Sequence, residues 1–145
     1  MHLRLLFAVP DRATESMLQS VLSAALRLTP LSVSVATALD QASIAGRAAA
    51  ALDDIILLDW GVAESDTPTL LRRLMEIHPQ VRIVVLVPED NRQYRREVWN
   101  AGACNGIPRE HMDQEWLSTV LCLMHRAMER EARLTQRLTE GVAHG

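Results

Sequence analysis

The sequence predicts one α/β domain, a parallel sheet of five strands in the order 2-1-3-4-5, doubly wound with helices on both faces. Three observations predict it. Short aliphatic runs alternate with helix-period segments through five repeats, and strands joined by helices pair in parallel through right-handed crossovers. The run Ile55–Leu58, followed by Asp59, has the continuous apolar character of a strand buried on both faces. Nearly half of the 145 residues are apolar yet only 3% are aromatic, which suits aliphatic strands covered by Ala/Leu-rich helices. The length is that of one domain, and no Pro/Gly/Ser-rich stretch offers a linker between two.

Each element has its own signal. Leu3 to Val9 is an apolar run closed by Pro10 and Asp11, a buried strand and its turn. Met17, Leu18, Val21, Leu22, Ala25 and Leu26 then recur at helical spacing until Thr29-Pro30. Leu31 to Ala36 alternates apolar and polar residues, as a strand with one less buried face does. Asp40 to Leu52 is Ala-rich and helical, and Asp53-Asp54 introduces the third strand. Thr67-Pro68 starts a helix with proline in its first turn, and His78-Pro79 stops it. Val81 to Val87 is the fourth strand. Arg92 to Asn100 is a charged, amphipathic helix closed by Gly102, and Asn105 to Pro108 is at best a weak fifth strand. From Asp113 onward Trp116, Leu117, Val120, Leu121, Met124 and Met128 mark a last helix without a breaker until Gly141. In open sheets of this kind the functional crevice lies at the carboxyl ends of the strands, which singles out Pro10, Asp11, Asp59, Val87, Pro88, Pro108 and Arg109.

Composition removes several function classes. The net charge of −3 with scattered basic residues argues against direct nucleic-acid binding. No segment approaches the roughly 20 apolar residues of a membrane span, and the N-terminal run is too short for a secretory leader. Cys104 and Cys122 form neither a CxxC nor a disulfide-framework spacing, so a cytoplasmic location fits. The five histidines are dispersed, with no metal-site spacing. No GxSxG, Walker loop or GxGxxG is present, so no catalytic residues are nominated and an independent enzyme activity has little support.

Two stretches carry a family resemblance. DDIILLDWGVAESDTPTLLRRL resembles the third strand and following loop of response-regulator receiver domains, in which an aspartate ending the strand accepts phosphate; Asp59 occupies that place. WNAGACNGIPREHMDQEWL resembles that family's Ala-Gly-Ala turn, fifth strand and last helix start, through Ala101, Gly102, Ala103, Gln114, Glu115, Trp116 and Leu117. The resemblance spans about residues 3 to 128 and implies the flavodoxin-like (βα)5 receiver fold. It also implies two-component signalling, with a histidine kinase as donor and a protein partner or an attached output domain as target. It departs from the family's pattern at the chemistry. The acidic pair after strand one falls on Val9 and Pro10, with Asp11 one residue beyond. The phosphoryl-binding hydroxyl falls on Val87, the lysine on Arg109, and the aromatic switch on Gly106. The sequence therefore reads as an atypical receiver, working by protein contact or through an output domain.

Phosphoryl transfer to a carboxylate needs charge neutralisation, usually by Mg²⁺ held by one or two carboxylates and waters. Asp11 and Asp59 are the two metal-ligand candidates, a minimal set that implies weak Mg²⁺ binding at most. Asp59 has two readings: a phosphoacceptor with that minimal site, or a strand-end acid pairing with Arg109. The second is favoured. A small-ligand site in the same crevice has no phosphate-cradling loop to support it.

The final helix outruns the domain. Residues 1–128 are assigned to the receiver-like domain and 129–145 to a helical extension and tail. From Asp113 to Glu140 a helix would run about 40 Å at about 1.5 Å per residue, so part of it must project. Met124, Met128, Leu134 and Leu138 are expected near a contact with a second copy or another partner.

Overall fold

The structure, a computed structural model, describes residues 2–144. Five parallel strands, β1 (His2–Ala8), β2 (Ser32–Ala38), β3 (Ile55–Asp59), β4 (Arg82–Val87) and β5 (Asn105–Pro108), lie in the order β2-β1-β3-β4-β5. Between and after them run α1 (Arg12–Leu26), α2 (Gln41–Ala49), α3 (Thr67–Ile77), α4 (Arg92–Asn100) and α5 (Gln114–His144). The fold class and strand order are those the sequence predicts.

Two apolar layers follow from the two-residue period of the strands. Leu3, Leu5, Phe7 and Val9 of β1 and its exit, with Ile55 and Leu57 of β3, face α1 and α5. Leu6, Ala8, Ile56 and Leu58 face α2, α3 and α4. Every residue of β3 is buried, as its unbroken apolar run requires, whereas edge strand β2 is largely half-exposed.

Local chemistry starts the helices where the sequence places them. Asp11, Asp40, Asn91 and Asp113 each accept a hydrogen bond from a backbone N–H of the following turn. Three boundaries differ from expectation. The weak fifth strand is a full member of the sheet, pairing Val84 to Val87 with Asn105 to Pro108. Helix α2 stops at Ala49, three residues before Leu52, because Ala51 takes a left-handed φ of 49°. Its N–H then reaches the Ala48 carbonyl, and the Leu52 N–H reaches that of Arg47. Those two bonds form a Schellman closure with alanine where glycine is usual. Helix α5 runs through Gly141 to His144, since glycine ends a helix only where the chain turns left-handed after it.

Candidate functional site

Parallel strands end on the same edge, so the sheet gathers Pro10, Asp59, Val87 and Arg109 at one rim. Asp59 is completely buried. Its Oδ1 accepts a hydrogen bond from the Gly61 N–H at 2.8 Å and one from Arg109 Nη2 at 2.5 Å. Its Oδ2 is buried without a partner among the described residues. Arg109 leaves the end of β5 and reaches inward, its guanidinium half-exposed.

Gly61 makes this packing fit. A Cβ there would lie 2.9 Å from Asp59 Oδ1 and 3.0 Å from Pro10 Cγ, closer than carbon tolerates. The loop after β3 therefore folds tightly over the carboxylate and against Pro10. No sequence signal marked Gly61, because a glycine's close approach to a neighbouring loop has no local period. Trp60, beside it, is half-buried and meets Tyr94 of α4 edge-on, with ring centroids 4.9 Å apart and planes at 74°. That contact fastens the loop to α4.

The other predicted positions do different work. Asp11 is exposed and accepts from both the Thr14 N–H and the Thr14 hydroxyl at 2.8 Å, which makes it the N-cap of α1. Those bonds, aided by the charge of Arg109, hold its carboxyl below the usual aspartate range. Val9 and Val87 are fully buried and apolar. Of the two predicted metal ligands, Asp59 is thus already paired with a guanidinium and Asp11 is engaged in capping. This donor set does not fit the oxygen-rich shell that Mg²⁺ requires. Among the described residues no group of three or more His, Cys, Asp or Glu side chains converges.

Where the resemblance expects an aromatic switch, Gly106 sits beneath α4. A Cβ on it would come within 2.8 Å of Val98 Cγ2. Helix α4 is seated directly on β5, in the space a switching ring would need.

On α5 the structure divides the four predicted contact residues. Met124 and Met128 are half-buried against the layer that α5 shares with α1. Leu134 and Leu138 are exposed, and Leu123, not anticipated, is exposed with them. Beyond residue 128 one ion pair returns to the domain, between Arg82 at the start of β4 and Glu131. Under the extension lies a groove of about 740 Å³, far from Asp59, lined by Arg4, Asp54, His78, Arg82, Glu131 and Thr135. Its arginines are committed, Arg4 to Asp54 and Arg82 to Glu131. No helix among the described residues is long and apolar enough to cross a membrane.

No protein-family model matches the sequence, and no curated protein does. Solved structures match its fold. A two-component response regulator from Clostridium difficile superposes with a TM-score of 0.71 at 17% identity, covering 87% of this chain and 98% of its own. The signal receiver domain of an HD domain-containing protein from Pseudomonas fluorescens Pf-5 gives 0.69 at 21% identity, covering 88% and 99%. A protein from Burkholderia thailandensis described as a pilus assembly protein gives 0.71 at 17% identity, covering 86% and 98%. At these identities the likeness is one of fold, and the chain has the five-stranded receiver fold.

Proposed function

We propose that this chain is an atypical signalling receiver module that acts through protein contacts, either with a separate partner or with an attached output domain, and without phosphoryl transfer at Asp59. One observation carries the reading: the strand-end carboxylate is buried beneath its loop and already neutralised by Arg109. A dianionic donor approaching Asp59 would have to displace that guanidinium without a metal to replace its charge. Val87 offers no hydroxyl to the incoming group, and Gly106 with Val98 removes the space for an aromatic relay. The fold also occurs in a protein described as serving pilus assembly, so its use extends past response regulators named as such. A cytoplasmic location accords with this reading.

A second reading keeps a histidine kinase as donor and Asp59 as acceptor, favoured by its Oδ2, which has no partner among the described residues. It requires Mg²⁺ at Asp59 and Asp11. Calorimetric titration with Mg²⁺ separates the two: the interaction-module reading expects no binding tighter than about 1 mM, or about −4 kcal/mol. A tighter constant, lost in Asp59→Asn, would overturn it. Introducing Val9→Asp with Pro10→Asp should create measurable binding, because it supplies the missing carboxylates to the same rim.

A further inference from the structure

The unpartnered surface with the most regular chemistry is on α5. At about 100° per residue, Trp116, Val120, Leu123, Ala127, Leu134 and Leu138 fall within about 60° of one another around the helix. Trp116 and Val120, at its start, still pack against the layer shared with α1, and the exposed part of the stripe begins at Leu123. Leu117 and Leu121 are buried and Met124 and Met128 half-buried on the neighbouring face, whereas Leu123, Leu134 and Leu138 are 58%, 50% and 72% exposed. From Leu123 to Leu138 the exposed part extends about 23 Å. The sector on its other side, from about 20° to about 80° beyond Leu123, holds Arg126, Arg130, Arg133 and Arg137. Among the described residues only Arg133 of these has an acidic neighbour within pairing range, Glu129 at 4.0 Å.

From this arrangement we infer that the α5 stripe receives an amphipathic helix of a different protein whose apolar face is bordered by glutamate or aspartate. The inference rests on the interaction-module reading and names the partner's chemistry. Apolar stripes set the geometry of helix pairing, and flanking charges set partner choice. A second copy of this chain is the poorer occupant. In a parallel, in-register pair the arginine flank of each helix would meet the opposite flank of its copy, where Met128 packs against the domain and Glu131 is already paired with Arg82. In an antiparallel pair crossing at Ala127, the smallest stripe residue, Arg126 and Arg130 of both chains would crowd the crossing. Like charges opposed in this way select against self-pairing. An acidic border on the incoming helix replaces that repulsion with attraction. Glu129, Glu131 and Glu140 dilute the positive charge of the same segment, which makes an anionic lipid surface a weaker fit than a helix with discrete carboxylates.

The test uses the full chain and two synthetic helical peptides of one length and one leucine heptad pattern, bordered by glutamate in one and lysine in the other. Fluorescence anisotropy should show the glutamate peptide binding at least about tenfold more tightly, the combined effect of several exposed ion pairs. Leu134→Ala with Leu138→Ala should weaken it by a further about tenfold, as lost apolar contact does. Arg126→Glu with Arg130→Glu and Arg137→Glu, all on exposed positions that leave the domain core intact, should reverse the preference between peptides. Equal binding of the two peptides, or none, overturns the inference. So does a dimer in light scattering that Leu134→Ala with Leu138→Ala abolishes, which would install the second copy. Co-sedimentation with phosphatidylserine vesicles that neutral vesicles do not match would install a membrane instead. None of these outcomes bears on Mg²⁺ at Asp59, so failure here and failure of the interaction-module reading remain distinguishable.

Discussion

At the scale of single residues, Asp59 and Arg109 behave as a structural pair. Removing the guanidinium leaves a buried oxygen with one donor fewer, so Arg109→Ala should cost about 1–3 kcal/mol in urea unfolding. Asp59→Asn should cost less, and adding Arg109→Ala to it should cost almost nothing more. Additive losses in that cycle would mean the two are not coupled. This pairing was legible in the sequence, because an aspartate ending one parallel strand and a basic residue ending another share a rim. The commitment of Asp11 to capping was less so: the same residue type serves a helix start or a metal, and only the Thr14 bonds decide. Those bonds also set an acid limit. Hydrogen bonds from Ser43 lower the pKa of Asp40; at Asp54 burial acts to raise it, but the bonds and charge of Arg4, with His78, outweigh that and lower it. A lowered folded pKa contributes stability that is complete above the ordinary aspartate value of about 3.9 and is lost as pH falls below it. The variant carrying Asp40→Asn and Asp54→Asn should therefore lose less stability between about pH 4 and about pH 2 than the parent chain, read by circular dichroism. An unchanged acid limb would place the titrating groups elsewhere.

At the scale of elements, the ends of helices were harder to read than their starts. Starts carry side-chain caps that are visible as Asp, Asn or Pro before a periodic run. The end of α2 is made by backbone geometry at Ala51, and alanine carries no mark of a left-handed turn. A Cβ in that conformation costs about 1–2 kcal/mol, so Ala51→Gly should raise the unfolding free energy by about 1 kcal/mol with an unchanged denaturant slope. A loss on substitution would mean that α2 does not end in the Schellman closure. Helix α5 shows a different limit of periodicity. It carries two adjacent apolar stripes, and a 3.6-residue period reveals both without saying which one the sheet covers. The sequence grouped Met124 and Met128 with Leu134 and Leu138, whereas the structure turns the methionines toward α1 and leaves Leu123 outside with the two leucines. Strand β5 was understated because Asn105 and Gly106 have poor strand propensity. Gly106 is tolerated there because α4 lies so close that a larger residue would strike Val98.

At the scale of the whole molecule, the alternation of strand and helix determined the architecture: five βα units leave little choice but a doubly wound parallel sheet. What that architecture does is decided by a handful of side chains at its rim, which is why the strand order was legible and most of the chemistry was not. The rim gathers the loops as a phosphoacceptor site requires, yet fills the space with Pro10, Val87 and the Asp59–Arg109 pair. The α5 extension, where the proposed contact lies, is held to the domain by Arg82 and Glu131. The central claim, that the receiver fold operates here without phosphoryl transfer, is tested most directly by incubating the full chain with acetyl phosphate and Mg²⁺ and recording its intact mass. The account predicts no phosphoryl adduct on the parent chain under conditions that label a phosphorylatable receiver in the same tube. An adduct on the parent chain that Asp59→Asn abolishes would contradict it.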